Sequence, residues 1–258
     1  MRDTGVWDEK GVMEAAEAKR LYPNAHFARL FSIVGIKHWE LSSEFWKFKG
    51  RIVLGGDNIR TVDGEHAIFE DVGSIPTSMS GIRVVIALSA LSDKLWVKQA
   101  DCLRAYTQAK HEGIPTFIRM PRAWWPPSWT KMADPVCRLI LTLYGHPKAG
   151  DLWHGHFETV VVKHGFVKIP EWPSIYVRGD TLDTIIVIIA YVDDITFISG
   201  DWAIPIIESI RKEVKMEDPT PFGRMLGVNH VLTEKTVGAH TLTTFSFSMS
   251  EYCVQAVE

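Results

Sequence analysis

The sequence predicts an α+β fold, and three features carry that expectation. Helical and strand-like stretches alternate, yet strands also follow one another directly, as at 184–199, where a doubly wound parallel sheet would place a helix. Hydrophobic residues make up 46% of the 258 and charged residues 23%, the balance of a chain that buries a core rather than staying disordered. No internal repeat or low-complexity tract breaks the pattern.

Taken in order, residues 8–20 read as a short polar helix, and 23–43 carry no period that assigns them. Lys47 to Leu54 alternates basic and apolar residues as a half-exposed strand does, and Gly55-Gly56-Asp57-Asn58 reads as a turn. Ser80 is placed to cap a helix running to about Ser92, with Ile82, Val85, Ile86, Leu88 and Leu91 as its apolar face. Leu95 to Asp101 and Thr116 to Met120 follow as strands, then a proline- and tryptophan-rich loop from Pro121 to Trp129, read as packed rather than base-stacking. Cys137 to Leu143 reads as a strand and Lys148 to His164 as a helix. Ile175–Val177, Thr184–Tyr191 and Ile195–Ser199 are strands, Pro205–Val214 is a helix with proline in its first turn, and Phe222–Ser248 is mostly strand. Ser250-Glu251-Tyr252 reads as a helix start.

The beginning of the chain is polar and the most apolar run, Ile185 to Val192, is far too short to cross a bilayer, so neither secretion nor a membrane is expected. Cys102, Cys137 and Cys253 have no paired spacing, which fits a reduced compartment, cytoplasmic or nuclear. His154-Gly155-His156 is set aside as a metal site, because on a helix the two rings diverge. The formal net charge of −3 runs against nucleic-acid binding unless cations gather locally.

The chemistry concentrates at Tyr191-Val192-Asp193-Asp194, two acids at the tip of what reads as a tight hairpin between apolar strands. Aspartate at a turn is ordinary. Here the flanking strands are too apolar for a surface hairpin, and adjacent carboxylates leaving a buried sheet repel each other unless a cation lies between them. Hard oxygen ligands suit Mg²⁺. Asp101, closing the apolar strand from Leu95, is the candidate third carboxylate of a site for two metal ions.

With these residues in place, the chain resembles the reverse transcriptase domain of Ty1/copia-type retrotransposons. The matching segments are Lys49-Gly50-Arg51-Ile52-Val53, Gln99-Ala100-Asp101 through Ala105-Tyr106, Leu143-Tyr144-Gly145, Tyr191-Val192-Asp193-Asp194 and Leu226-Gly227, in the family's order. The resemblance implies a right-hand polymerase fold of fingers and palm over residues 40–258, with 1–39 as an extension and the thumb truncated. It implies Asp101, Asp193 and Asp194 as catalytic residues and ligands of two Mg²⁺ ions, with Mn²⁺ as a substitute. It further implies that Tyr106, Lys49 and Arg51 meet the incoming dNTP and that Tyr191 and Val192 lie near the primer. The partners would be an RNA or DNA template-primer and dNTPs. Lys148 stands where the family has a glutamine that contacts the nucleotide, and binds phosphate in this reading. Only an outline of the family's run after the first aspartate survives in Cys102 to Ala109. Two alternatives stay open: a captured fragment that at most binds nucleic acid, and another palm enzyme such as a nucleotidyl cyclase.

Overall fold

The structure is a computed structural model that describes residues 1–37, 39, 42–69, 77–225, 228–238, 240–250 and 253. In chain order the elements are β1 (Met13–Glu14), α1 (Ala15–Leu21), β2 (His26–Lys37), β3 (Lys47–Leu54), α2 (Met79–Leu88), β4 (Trp96–Asp101), β5 (Thr116–Arg119) and β6 (Pro135–Arg138). There follow α3 (Ala149–Lys163), β7 (Val167–Lys168), β8 (Ile175–Arg178), β9 (Ile186–Tyr191), β10 (Asp194–Ser199) and α4 (Ile204–Glu213). The last are β11 (Thr220–Pro221), β12 (Arg224–Met225), β13 (Val228–Val237) and β14 (His240–Ser248). The class is α+β, as the interleaved pattern predicts. The chain divides into two compact units: Met1–Ser74 with Tyr106–His156, and Ile75–Ala105 with Phe157–Glu258.

The first unit holds a five-stranded sheet in the order β1-β6-β5-β2-β3, in which β2 and β5 run parallel and the other pairs antiparallel. Leu30, Leu54, Ile59, Ile118, Cys137 and Leu143 are among its core. Trp129 is buried in that core and Trp124 and Trp125 pack against it, so the tryptophan loop is packed as its sequence suggested. The strand expected at Cys137–Leu143 instead begins at Pro135 and ends at Arg138. Beyond that point Leu139 and Leu141 make only isolated bridges, to Trp7 and Lys110.

The unassigned stretch holds the long strand β2, over His26–Lys37. His26, Phe27, Ala28 and Leu30 are buried, while Phe31 to Lys37 are almost wholly exposed, together with the facing part of β3. The outer half of β2, Ser32-Ile33-Val34-Gly35-Ile36-Lys37, carries no alternation to read. At the inner end of β3, Leu54 N–H donates to Tyr144 O at 2.8 Å. Gly145 there has φ +88°, and a Cβ on it would lie 2.0 Å from Leu54 O. A Cβ on Gly56 would lie 1.9 Å from Gly145 O, so the two glycines allow two backbone segments to touch.

The second unit is built on an antiparallel six-stranded sheet, β11-β4-β10-β9-β8-β7. Its central strands are buried: Ile186 to Ala190 are all apolar, and Ile195 to Ser199 are buried too, with Thr196 and Ser199 the polar members. Helix α2 covers one face, packing Ile82, Val85 and Ile86 against Ile175, Val187 and Ile198. Its cap is Ser78, whose Oγ accepts from Gly81 N at 3.1 Å, rather than Ser80, which already lies inside the first turn. A smaller sheet, β12-β13-β14, completes the unit. Two expected features, Leu226-Gly227 and the helix start at Glu251-Tyr252, lie outside the described residues.

Candidate active site

Strands β9 and β10 form the hairpin their sequence suggests, with Tyr191 opposite Asp194 as the last pair. Val192 and Asp193 are therefore the two turn residues. Val192 has φ +56°, and it is the turn's one residue in the left-handed region, the pattern of a type II′ turn. That position favours glycine, and a β-branched residue there is strained. Such strain persists where surrounding structure holds it, and it gathers at functional sites.

The other neighbour of β10 is β4, and the register sets Asp194 directly opposite Asp101. Paired residues of an antiparallel sheet share a face, so two carboxylates stand side by side where the strands end. The tip is fastened there: Cys102 N–H donates to Asp193 O at 2.7 Å, and Glu217 N–H donates to Asp101 O at 2.9 Å. Asp101 and Asp193 are exposed and Asp194 is half-buried.

The electrostatics record the crowding. Asp194 is pushed up to about 6, first by burial, then by the charges of Asp101 and Asp193 and a carboxyl–carboxyl hydrogen bond with Asp101. Beside them the buried Cys102 thiol is pushed up by desolvation and by the same three aspartates, so it is an inert neutral neighbour rather than a nucleophile. Like charges opposed across a sheet destabilise it. A divalent cation would remove that cost.

Among the described residues no group of three or more His, Cys, Asp or Glu side chains is arranged to enclose a metal ion. The donor set is nevertheless of the kind Mg²⁺ takes. That ion is held by one or two carboxylates plus substrate phosphates and water rather than by an all-protein cage.

The other residues singled out in the sequence lie in the first unit. Lys49 and Arg51 sit on β3, where they pair with Gly35 and Ile33. Lys37 and Lys47, the outermost pair, fall on the same face, since pairs two residues apart share a side. One face of the ribbon thus carries Lys37, Lys47, Lys49 and Arg51. The opposite face carries Val34, Ile36, Phe48 and Ile52. Sequence reading missed Lys37 because its strand was not recognised, although Lys47 stood in plain alternation with Lys49 and Arg51. Tyr106 lies in a 3-10 turn with its ring edge-on to Tyr144, centroids 4.6 Å apart. Lys148 immediately precedes α3, and its N–H donates to His146 Nδ1 at 3.1 Å.

An antiparallel sheet that delivers paired carboxylates at a strained hairpin, on an α+β scaffold, defines the class. The chain belongs to the reverse transcriptase (RNA-dependent DNA polymerase) family, whose profile matches residues 36–250. It is a reverse transcriptase domain of the copia type. It is 24% identical over 193 residues to the Retrovirus-related Pol polyprotein from transposon TNT 1-94 of Nicotiana tabacum. That alignment covers 74% of this chain and 14% of the polyprotein, so the chain spans a small part of its relative's length. Among the described residues, no helix is long and apolar enough to cross a membrane.

Proposed function

We propose that the chain forms the fingers and palm of an RNA-directed DNA polymerase that extends a primer 3′-hydroxyl with dNTPs on an RNA or DNA template. The observation that carries this reading is the register: Asp194 faces Asp101 across β4 and β10, one residue from the strained turn that holds Asp193. In this reading the second unit is the palm, residues 40–258 are the polymerase region and residues 1–39 are an extension. Asp101, Asp193 and Asp194 hold two Mg²⁺ ions, for which Mn²⁺ can substitute. When bound, the metal supplies Lewis-acid stabilisation of the triphosphate and of the attacking oxygen.

The protein's own contribution is charge and position. The three aspartates bring the negative potential that concentrates divalent cations, and the sheet fixes them in place. Lys49, Arg51 and Lys148 attract the triphosphate, Arg51 with the planar fork that suits phosphate oxygens. The ring of Tyr106, braced by Tyr144, limits the room for a 2′-hydroxyl on the incoming sugar. Tyr191 and Val192 pack near the primer end.

The test is extension of a labelled DNA primer on an RNA template with the purified chain and Mg²⁺. Wild type is expected to extend the primer, and Asp101→Asn and Asp193→Asn each to slow it by at least about 100-fold, the scale of losing charge stabilisation in a transition state. Extension that survives either substitution overturns the assignment. No extension, with template-primer still bound, leaves the fold as a nucleic-acid-binding fragment.

A further inference from the structure

A cavity of ≈ 540 Å³ lies in the second unit between the turn that follows α2, the start of β4, and the small sheet. Leu91, Leu95, Trp96, Phe222 and Phe245 supply apolar walls, and Asp93 and Glu234 also line it. His230 lines it from β13, is only 6% exposed, and has no hydrogen-bond partner on either ring nitrogen among the described residues. Its ring stands edge-on to Phe222 and Phe247, with centroids 4.6 and 5.1 Å away.

This is an unusual interior. Buried polar atoms are nearly always partnered, and leaving one unmet is costly. Burial, and then the charge of Arg83, lower the His230 ring below the usual histidine range, and a neutral ring offers one N–H donor and one acceptor. His230 and Glu234 are four residues apart on β13 and therefore share the face that lines the cavity. Asp93 and Glu234 are both exposed, which gives the space an acidic outer part beyond its aromatic interior.

We propose that this cavity is a binding site for a flat aromatic amine, its ring seated among Phe222, Phe245 and Trp96 and its ammonium group directed to Asp93 and Glu234. A polar atom on the ring system meets His230. The volume lies within the range of pockets that take small organic ligands, about 300–1,000 Å³. Aromatic walls favour a planar body through offset and edge-on packing. The two carboxylates select a cation and reject nucleotides and other anions, so the site is distinct in chemistry from the Asp101–Asp194 pair.

The experiment is calorimetric titration of the whole chain with tryptamine, indole and indole-3-acetate, which share a ring system and differ in charge. Tryptamine is expected to bind at least about tenfold more tightly than indole, a difference of about 1.4 kcal/mol, and indole-3-acetate not at all. His230→Leu should weaken tryptamine and indole alike. Glu234→Gln, at an exposed position that does not threaten folding, should weaken tryptamine and leave indole unchanged. Failure of tryptamine to bind, equal binding of indole-3-acetate, or binding indifferent to both substitutions each overturns the proposal.

Discussion

Asp194 is the residue where fold and chemistry pull in opposite directions. Its carboxyl is raised from 3.8 to about 6, so the folded chain holds a proton that the unfolded chain releases. The contribution to stability is full below about pH 4 and is lost as pH rises through about 6, because the native state binds more protons across that window. His26, His111 and His146 act the other way: burial lowers all three, His146 to about 3, so their contribution is lost as pH falls. The two effects overlap, and the informative quantity is a difference. Between pH 4 and 7, the thermal midpoint of Asp194→Asn minus that of wild type should grow in the variant's favour, and Mg²⁺ should narrow the gap by stabilising the ionised wild-type carboxylate. A gap that stays constant with pH would mean that Asp194 is not held protonated by its neighbours.

At the scale of elements, the turn at Tyr144-Gly145 and the end of β3 depend on each other. Gly145→Ala places a methyl group 2.0 Å from Leu54 O in a backbone conformation that L-residues rarely adopt. With no flexible side chain to yield, the cost should exceed about 2 kcal/mol, above the usual penalty for alanine at a positive φ. Chemical denaturation measures it directly; a loss of under about 0.5 kcal/mol, the scale of an unremarkable surface change, would contradict the close approach. The same comparison shows what a sequence discloses. The β9–β10 hairpin and β4 were legible as apolar runs that end in carboxylates, β3 by its alternation and the turn after it, and α4 by the proline in its first turn. The length of β2 was not, since its outer half is exposed on both faces and alternates nothing. The start of α2 was misplaced by two residues because Ser78 and Ser80 are equally good caps by type. Within the candidate site, the three aspartates were legible as chemistry, but their pairing is a property of register. No local signal states that Asp101 faces Asp194 or that Val192 takes a positive φ.

For the molecule as a whole, the net charge of −3 argued against a nucleic-acid partner, and the fold removes much of that objection. Affinity for a phosphate backbone follows the cations that can reach it together, not the sum over the chain. Lys37, Lys47, Lys49 and Arg51 share one face of the β2–β3 ribbon, and neither strand contains an acidic residue. If the chain grips a template through that face, binding of a single-stranded oligonucleotide should weaken with salt, with a slope of about −0.7 for each phosphate engaged. Replacing Lys37 and Lys47 together by Ala should then flatten the slope by about one to two. The pair sits at the outer end of an exposed ribbon, so folding should be unaffected, and Asp101→Asn serves as the control that alters charge without touching the ribbon. An unchanged slope in the double variant would show that the template lies elsewhere. A slope that flattens in the double variant and steepens in proportion in Asp101→Asn, which changes net charge the opposite way, would mean that net charge alone governs the encounter, and that gathering the cations onto one face has no bearing on binding.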